Sequence, residues 1–264
     1  MRAGYVAVMV IVGSLIVVML MVVRNQNVPA AVSSVDGIPP GSSPLWLASP
    51  PQFAGQILHG TVANWMQSPT AEGDPIDKRE TGEFWIELGS DGSVLRSHEV
   101  FRADNGTITQ ESLFRDGVET VISGASPACR EVFANPMPRV VPPFAVDAAM
   151  LKSLGFTRVQ SGNWEWPDTP ALTGVDPVHT YRLNGESQAW DQRFVLDGGS
   201  VRDVYLEVDK SGRFVVMNGR DEDAAGNVSS VVQQVYGDLV VYSADQVPES
   251  VFAPLVNAEH ACHG

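Results

Sequence analysis

The sequence predicts a mainly β, α+β chain: a single curved antiparallel sheet with one plugging helix, set behind an N-terminal transmembrane helix. Three observations predict it. Short runs of alternating polarity recur between Asp-Gly, Asn-Gly and Ser-Gly turns; one stretch alone after residue 54 has helical periodicity; and the first residues hold a long uncharged apolar run.

The first strand group reads GEFWIEL (82–88), VLRSHEVF (94–101), TITQESLF (107–114) and VETVI (118–122), separated by turns at 90–92, 104–106 and 116–117. Asp-Gly and Asn-Gly supply the positive φ that tight hairpins need. A second group opens at VHTYRL (178–183) and continues through AWDQRFVL (189–196), VRDVYLEVD (201–209), RFVVMNGR (213–220) and a long strand from Val228 to Tyr242. Consecutive antiparallel runs of this kind make a meander, whereas βαβ units would interleave helices. In VRDVYLEVD, Val204, Leu206 and Val208 alternate with Asp203, Tyr205, Glu207 and Asp209, so the expected sheet has one buried face and one wet face.

Between the groups lie Pro127, Pro136, Pro138, Pro142 and Pro143, then FAVDAAMLKSLGF (144–156), the predicted helix, stopped at Gly155. The stretch 161–177 follows as a long loop. Loops of such length inside a domain are commonly functional. Helix and loop together suit a lid across the open side of a curved sheet.

The uncharged run YVAVMVIVGSLIVVMLMVV occupies 5–23. At 1.5 Å per residue it spans about 28 Å, close to a bilayer's hydrocarbon core. It exceeds the usual signal-peptide core, so an uncleaved anchor is favoured over a cleaved signal. Arg2 and the α-amine before it, against Arg24 after it, place the N-terminus inside by a slender margin. The expected organisation is therefore an anchor at 1–24, a Pro/Ser/Gly-rich tether at 25–54, a β domain at 55–254 and a C-terminal tail at 255–264. Cys129 and Cys262 suit an oxidising compartment, where they either form one disulfide or remain two thiols.

The chain has 264 residues with 17 Lys+Arg against 31 Asp+Glu, a net charge of -14. That excludes a basic footprint for nucleic acid. The HExxH, P-loop, GxSxG and SxxK signatures are missing from the sequence. His260, Cys262 and His263 form a dense ligand-capable cluster, but without a second Cys at CxxC spacing it reads as a disulfide or tail. Asp221, Asp223 and Gly226 echo a calcium loop that lacks its twelfth-position Glu, and so read as an acidic turn. Pairing Cys129 as nucleophile with His179 as base has no oxyanion site to support it. No cofactor or metal is expected, and no enzyme. Trp85, Trp164, Trp166 and Trp190, with Phe144, Leu151, Leu154 and Phe156 of the helical stretch, are either ordinary core or the lining of an apolar cavity under the lid.

Residues 201–252 show a succession of features: an acidic strand into Asp209-Lys210-Ser211-Gly212, a second strand, a polar turn at 221–227, a long strand, and Val247-Pro248-Glu249-Ser250-Val251-Phe252. This succession resembles the closing strands of the LolA-like lipoprotein-carrier fold shared with the RseB/MucB sensors and LppX/LprG-type lipid carriers. The resemblance implies an open half-barrel with helices plugging its concave face. It also implies a role outside the cytoplasm in binding acyl chains or lipidated partners, with a possible envelope protein as partner. The tether and the lack of a lipobox Cys depart from the soluble carriers and suit a sensor or membrane-resident acceptor. The alternative is a self-plugged structural or signalling module acting through protein contacts.

Overall fold

The computed structural model describes residues 51–69, 76–124, 128–134, 147–183, 186–258 and 260–262. The apolar run at 5–23, almost all of the tether and Phe144 lie outside them. Among the described residues no helix is long and apolar enough to cross a membrane.

Among the described residues the strands are β1 (Gln56–Ser68), β2 (Ile76–Leu88), β3 (Val94–Ala103), β4 (Ile108–Arg115), β5 (Val118–Ser123), β6 (Cys129–Ala134), β7 (Thr157–Val159), β8 (His179–Tyr181), β9 (Ser187–Val195), β10 (Val201–Asp209), β11 (Phe214–Glu222), β12 (Val228–Ser243) and β13 (His260–Ala261), with one α-helix, α1 (Ala148–Ser153). They form one sheet in the order β13-β6-β5-β4-β3-β2-β1-β12-β11-β10-β9-β7, and β8 pairs with β12. The chain starts at the middle of the sheet with β1 and meanders out to β6. After α1 it resumes at the opposite edge with β7, and β9 to β12 meander back to close against β1. Every pairing is antiparallel except that of β13 with β6.

Most of the hairpins use one device. At 89–93, 103–107, 196–200, 209–213 and 223–227 the backbone closes between residues four apart. The fourth residue of each segment is a glycine at φ between 80° and 85°. This is a type I turn ended by a left-handed glycine, the three-residue hairpin loop, except at 196–200, where Gly198 is itself at φ 82°. Asp116-Gly117, with φ of 54° and 73°, is a two-residue turn of the kind expected from sequence.

The helix is shorter than the 144–156 stretch expected. Asp147 caps its start by accepting from the Met150 N–H at 2.7 Å. Its end is a Schellman motif: Gly155, at φ 92°, donates to Lys152 O and Phe156 donates to Leu151 O.

The register separates two faces. On one, which we call the plug face, lie Leu58, Phe84, Ile86, Leu239 and Val241, packed with Phe53, and further along Leu206, Trp190 and Met217. Leu58, Ile86, Leu206 and Val241 are fully buried. From outside the sheet Phe53 and Phe156 reach this face, the latter edge-on to Phe194 with centroids 6.3 Å apart. The other, the strap face, carries His59, Trp85 and His98 in one row.

The expectation of a wet second face is corrected here. Two extended segments cross the strap face. The first strap, residues 160–177, runs inward from β7 over β10, β12 and β1; the second, residues 244–258, runs outward from β12 over β3 and β4 toward β6. They meet where Leu172 and Val175 of the first and Val247 and Phe252 of the second pack around Ile57, Trp85, Val240 and Tyr242. Glu207, on the supposedly wet side of β10, is consequently 1% exposed.

Candidate functional site

A segment laid over a sheet has no ladder to satisfy its backbone, so buried side chains of the sheet must do so. Glu207 fastens the start of the first strap. Its carboxylate accepts from the Gly162 N–H and the Trp164 indole N–H, each at 2.7 Å, from the Ser187 hydroxyl at 2.5 Å, and from the Tyr205 hydroxyl. Burial pushes this carboxyl up, but those donors outweigh it and hold the pKa below the ordinary value. Burial and the adjacent Glu207 in turn push the Tyr205 phenol well up. Beyond Glu207, the Thr61 hydroxyl donates to Asp168 O at 3.0 Å, Thr169 donates to Asp238 O at 2.7 Å, and the Leu172 N–H donates to the Tyr242 hydroxyl at 2.8 Å. The strap lies so close that a Cβ on Gly237 would stand 2.1 Å from Pro167 O, so only glycine fits at this point of β12.

Glu111 does for the second strap what Glu207 does for the first. It is fully buried and accepts the Leu255 and Val256 N–H groups at 2.7 and 3.0 Å. His98 Nε2 lies 2.6 Å from Glu111 and His98 Nδ1 lies 2.5 Å from Val251 O, so the ring bridges sheet and strap. Burial raises the Glu111 carboxyl, and His98 with the two amides more than reverses that. Arg96 adds an ion pair to Glu249 and lies over the Phe252 ring at 4.1 Å. The strap ends in a disulfide between Cys129 and Cys262, 133 residues apart in sequence.

The plug face is held differently. The helix's capping bonds are internal to α1 and its flanks, Leu151 is its buried residue, and Phe156 follows immediately.

The aromatic and aliphatic residues singled out from sequence divide between the two faces. Trp85 is on the strap face, stacked on His59 with centroids 3.7 Å apart. Trp164 and Trp166 are on the first strap, packed against Val215, Val216 and Val235. Trp190 lies on the plug face, 2% exposed, near the edge where β7 joins β9. Leu151 and Phe156 are buried and Leu154 is half-buried at the helix C-cap. Leu151, Leu154, Phe156 and Trp190 are thus placed at one edge of the sheet, while Trp85, Trp164 and Trp166 lie under or within the straps.

Glu207, Glu111 and His98 were not among the residues singled out. A glutamate on the polar phase of a strand carries no local sign that a distant loop will donate to it. Among the described residues no group of three or more His, Cys, Asp or Glu is arranged to hold a metal.

No family model matches the chain, and no curated protein matches it. Solved structures do. An uncharacterized conserved protein from Thermus thermophilus is 8% identical with a TM-score of 0.37, over 80% of this chain and 92% of that one. MucB in the Pseudomonas aeruginosa MucA/MucB complex is 16% identical with a TM-score of 0.33, over 75% of this chain. A LolA superfamily protein from Nitrosomonas europaea is 9% identical with a TM-score of 0.28, over 80% of this chain and 96% of that one. The chain spans 56% of the length of the MucB chain in that complex. MucB and LolA superfamily proteins, the groups that residues 201–252 resemble, are thus both among the structures similar to this chain, at low identity.

Proposed function

We propose that this chain is a membrane-anchored, extracytoplasmic binding domain without catalytic chemistry of its own. It holds a hydrophobic ligand, lipid or lipoprotein acyl chains, against the plug face, as a carrier or sensor. The apolar run at 5–23 is the anchor and the Pro-rich stretch after it the tether. The disulfide suits an oxidising compartment outside the cytoplasm.

The observation that carries the reading is the unequal fastening of the two faces. The straps are held by buried carboxylates, a run of backbone hydrogen bonds and a disulfide. The helix on the other side has six residues, and helices that short are marginal without packing. The cover that can yield is therefore the one over the plug face, whose floor of Leu, Ile, Val, Phe and Trp side chains matches an acyl chain. Leu151, Leu154 and Phe156 are the displaceable plug and Trp190 is the floor beside them.

The complete burial of Leu58, Ile86 and Val241 favours one other reading, a self-plugged module that acts by protein contact. Uptake of a fluorescent fatty acid by the full chain separates the two. With ligand binding, Leu151→Ser with Phe156→Ser loosens the plug and speeds uptake severalfold, since each truncation removes roughly 2 kcal/mol of apolar burial. Absence of uptake by both wild type and variant, each shown folded by its melting curve, contradicts ligand binding.

A further inference from the structure

Beyond the reach of the first strap, the strap face holds an open pocket of about 300 Å³. Its floor is two cross-strand rows set by the register. Arg193, Asp203, Arg220 and Val231 form one; Asp191, Tyr205, Asn218 and Gln233 form the other. The next row, Ala189, Glu207, Val216 and Val235, marks where the strap begins, with the Trp164 ring 6.1 Å from the Tyr205 ring. The floor therefore runs from exposed charges to the aromatic edge of the strap.

The charges in this floor are balanced, two Arg against two Asp. They are also engaged: Arg193 bonds Asp203 and Glu222 at 3.3 Å each, and Arg220 bonds Glu222 at 2.9 Å. An acyl chain seated here would desolvate those groups and return nothing to them. An anion would have to draw the guanidiniums from their carboxylates in a chain of net charge -14. A cation would meet two guanidiniums. What the lining offers is a dense set of fixed donors and acceptors: guanidinium N–H groups, carboxylate oxygens, and the Asn218 and Gln233 amides. The Asn218 amide oxygen is buried and has no hydrogen-bond partner in the protein, an acceptor left unsatisfied in this floor. The volume equals about ten water volumes, room for a mono- or disaccharide.

We propose that this pocket binds a neutral saccharide through Asp191, Asp203, Asn218, Arg220 and Gln233, beside the Trp164 and Tyr205 edge. The site is on the opposite face from the acyl-chain reading and stands independently of it. In an anchored domain it gives the chain a second, polar ligand.

The test uses the full ¹⁵N-labelled chain in a detergent without a sugar headgroup. Maltose, cellobiose and N,N′-diacetylchitobiose are titrated, with glucose 6-phosphate and spermidine as charged controls. The expected result is a saturable shift for at least one neutral disaccharide at the amides of 191–193, 203–205, 218–220 and 233, weakened about fivefold by Asn218→Ala and by Gln233→Ala, with melting temperatures unchanged. A variant that loses its melting transition is replaced by Arg220→Ala, whose side chain is exposed and which carries the same expectation. No shift with any neutral disaccharide, shifts elsewhere on the domain, or the same shifts with either charged control overturn the proposal.

Discussion

Replacing both cysteines of the Cys129–Cys262 pair by serine is expected to lower unfolding stability by about 5 kcal/mol, the largest single effect in the molecule. The bridge closes a loop of 133 residues in sequence, and cross-linking residues so distant removes a large share of the unfolded chain's freedom. It also joins the tail to β6 beside the short parallel β13–β6 pairing, so its loss frees the end of the second strap. Urea unfolding followed by tryptophan fluorescence measures the effect. The wild type under dithiothreitol should unfold with the serine variant, and dithiothreitol should not shift the variant. Coincident midpoints for wild type and variant would show that the tail carries no constraint.

Glu207→Ala is expected to cost on the order of 4 kcal/mol, because four donors lose one buried acceptor. The Gly162 and Trp164 N–H groups and the Ser187 and Tyr205 hydroxyls would face an apolar gap under the strap. Trp164 emission should shift to the red as the strap's start lifts, while the plug face keeps its packing. The same carboxylate sets an acid limit. Its folded pKa lies below the ordinary glutamate value of 4.5, so its contribution is complete above about that pH and is lost as pH falls through the lower folded value. Glu111 acts in the same sense on the second strap. Melting temperatures of the wild type should therefore drop steeply below pH 4.5, and those of Glu207→Ala less steeply. Equal slopes would mean that the Glu207 carboxylate does not hold the strap.

The meanders were legible because their chemistry is local. Glycines 92, 106, 117, 212 and 226 end turns by adopting positive φ, which a sequence of Asp, Asn and Gly announces. The two-sided alternation of β3, β4, β10 and β11 was visible between them. The central strand β1 was not, because QILHGTVANWMQS is covered on both faces and every position from Ile57 to Val62 is buried. A strand in that setting loses its alternation and reads as a featureless apolar stretch. Strand β6 was missed for the opposite reason: it is short and borders the sheet edge, where pairing with β5 and with the tail defines it.

The straps were harder still. The 161–177 loop looked like a mobile lid because it has no periodicity, yet it is held by Glu207, Thr61, Asp238 and Tyr242, each far away in sequence. Trp164 and Trp166 were readable as buried aromatics but not as members of a strap on the face opposite Trp190. A one-residue register slip moves a side chain to the other face, and the bulge opposite Gly60–Val62 makes such a slip in β12, where the pairing passes from Leu239 to Tyr236. Alternation read outward from either end of β12 therefore assigns the wrong face past this point, whereas the pairing of β1 with β2 is unbroken.

Native mass spectrometry of the full chain, freed from detergent in the gas phase and measured before and after organic extraction, tests the proposed function most directly. A hydrophobic ligand held on the plug face predicts a stoichiometric adduct of lipid mass that extraction removes and added fatty acid restores. A bare mass before extraction, with no adduct after fatty acid is added, would contradict it and leave the plug face as packed core alone.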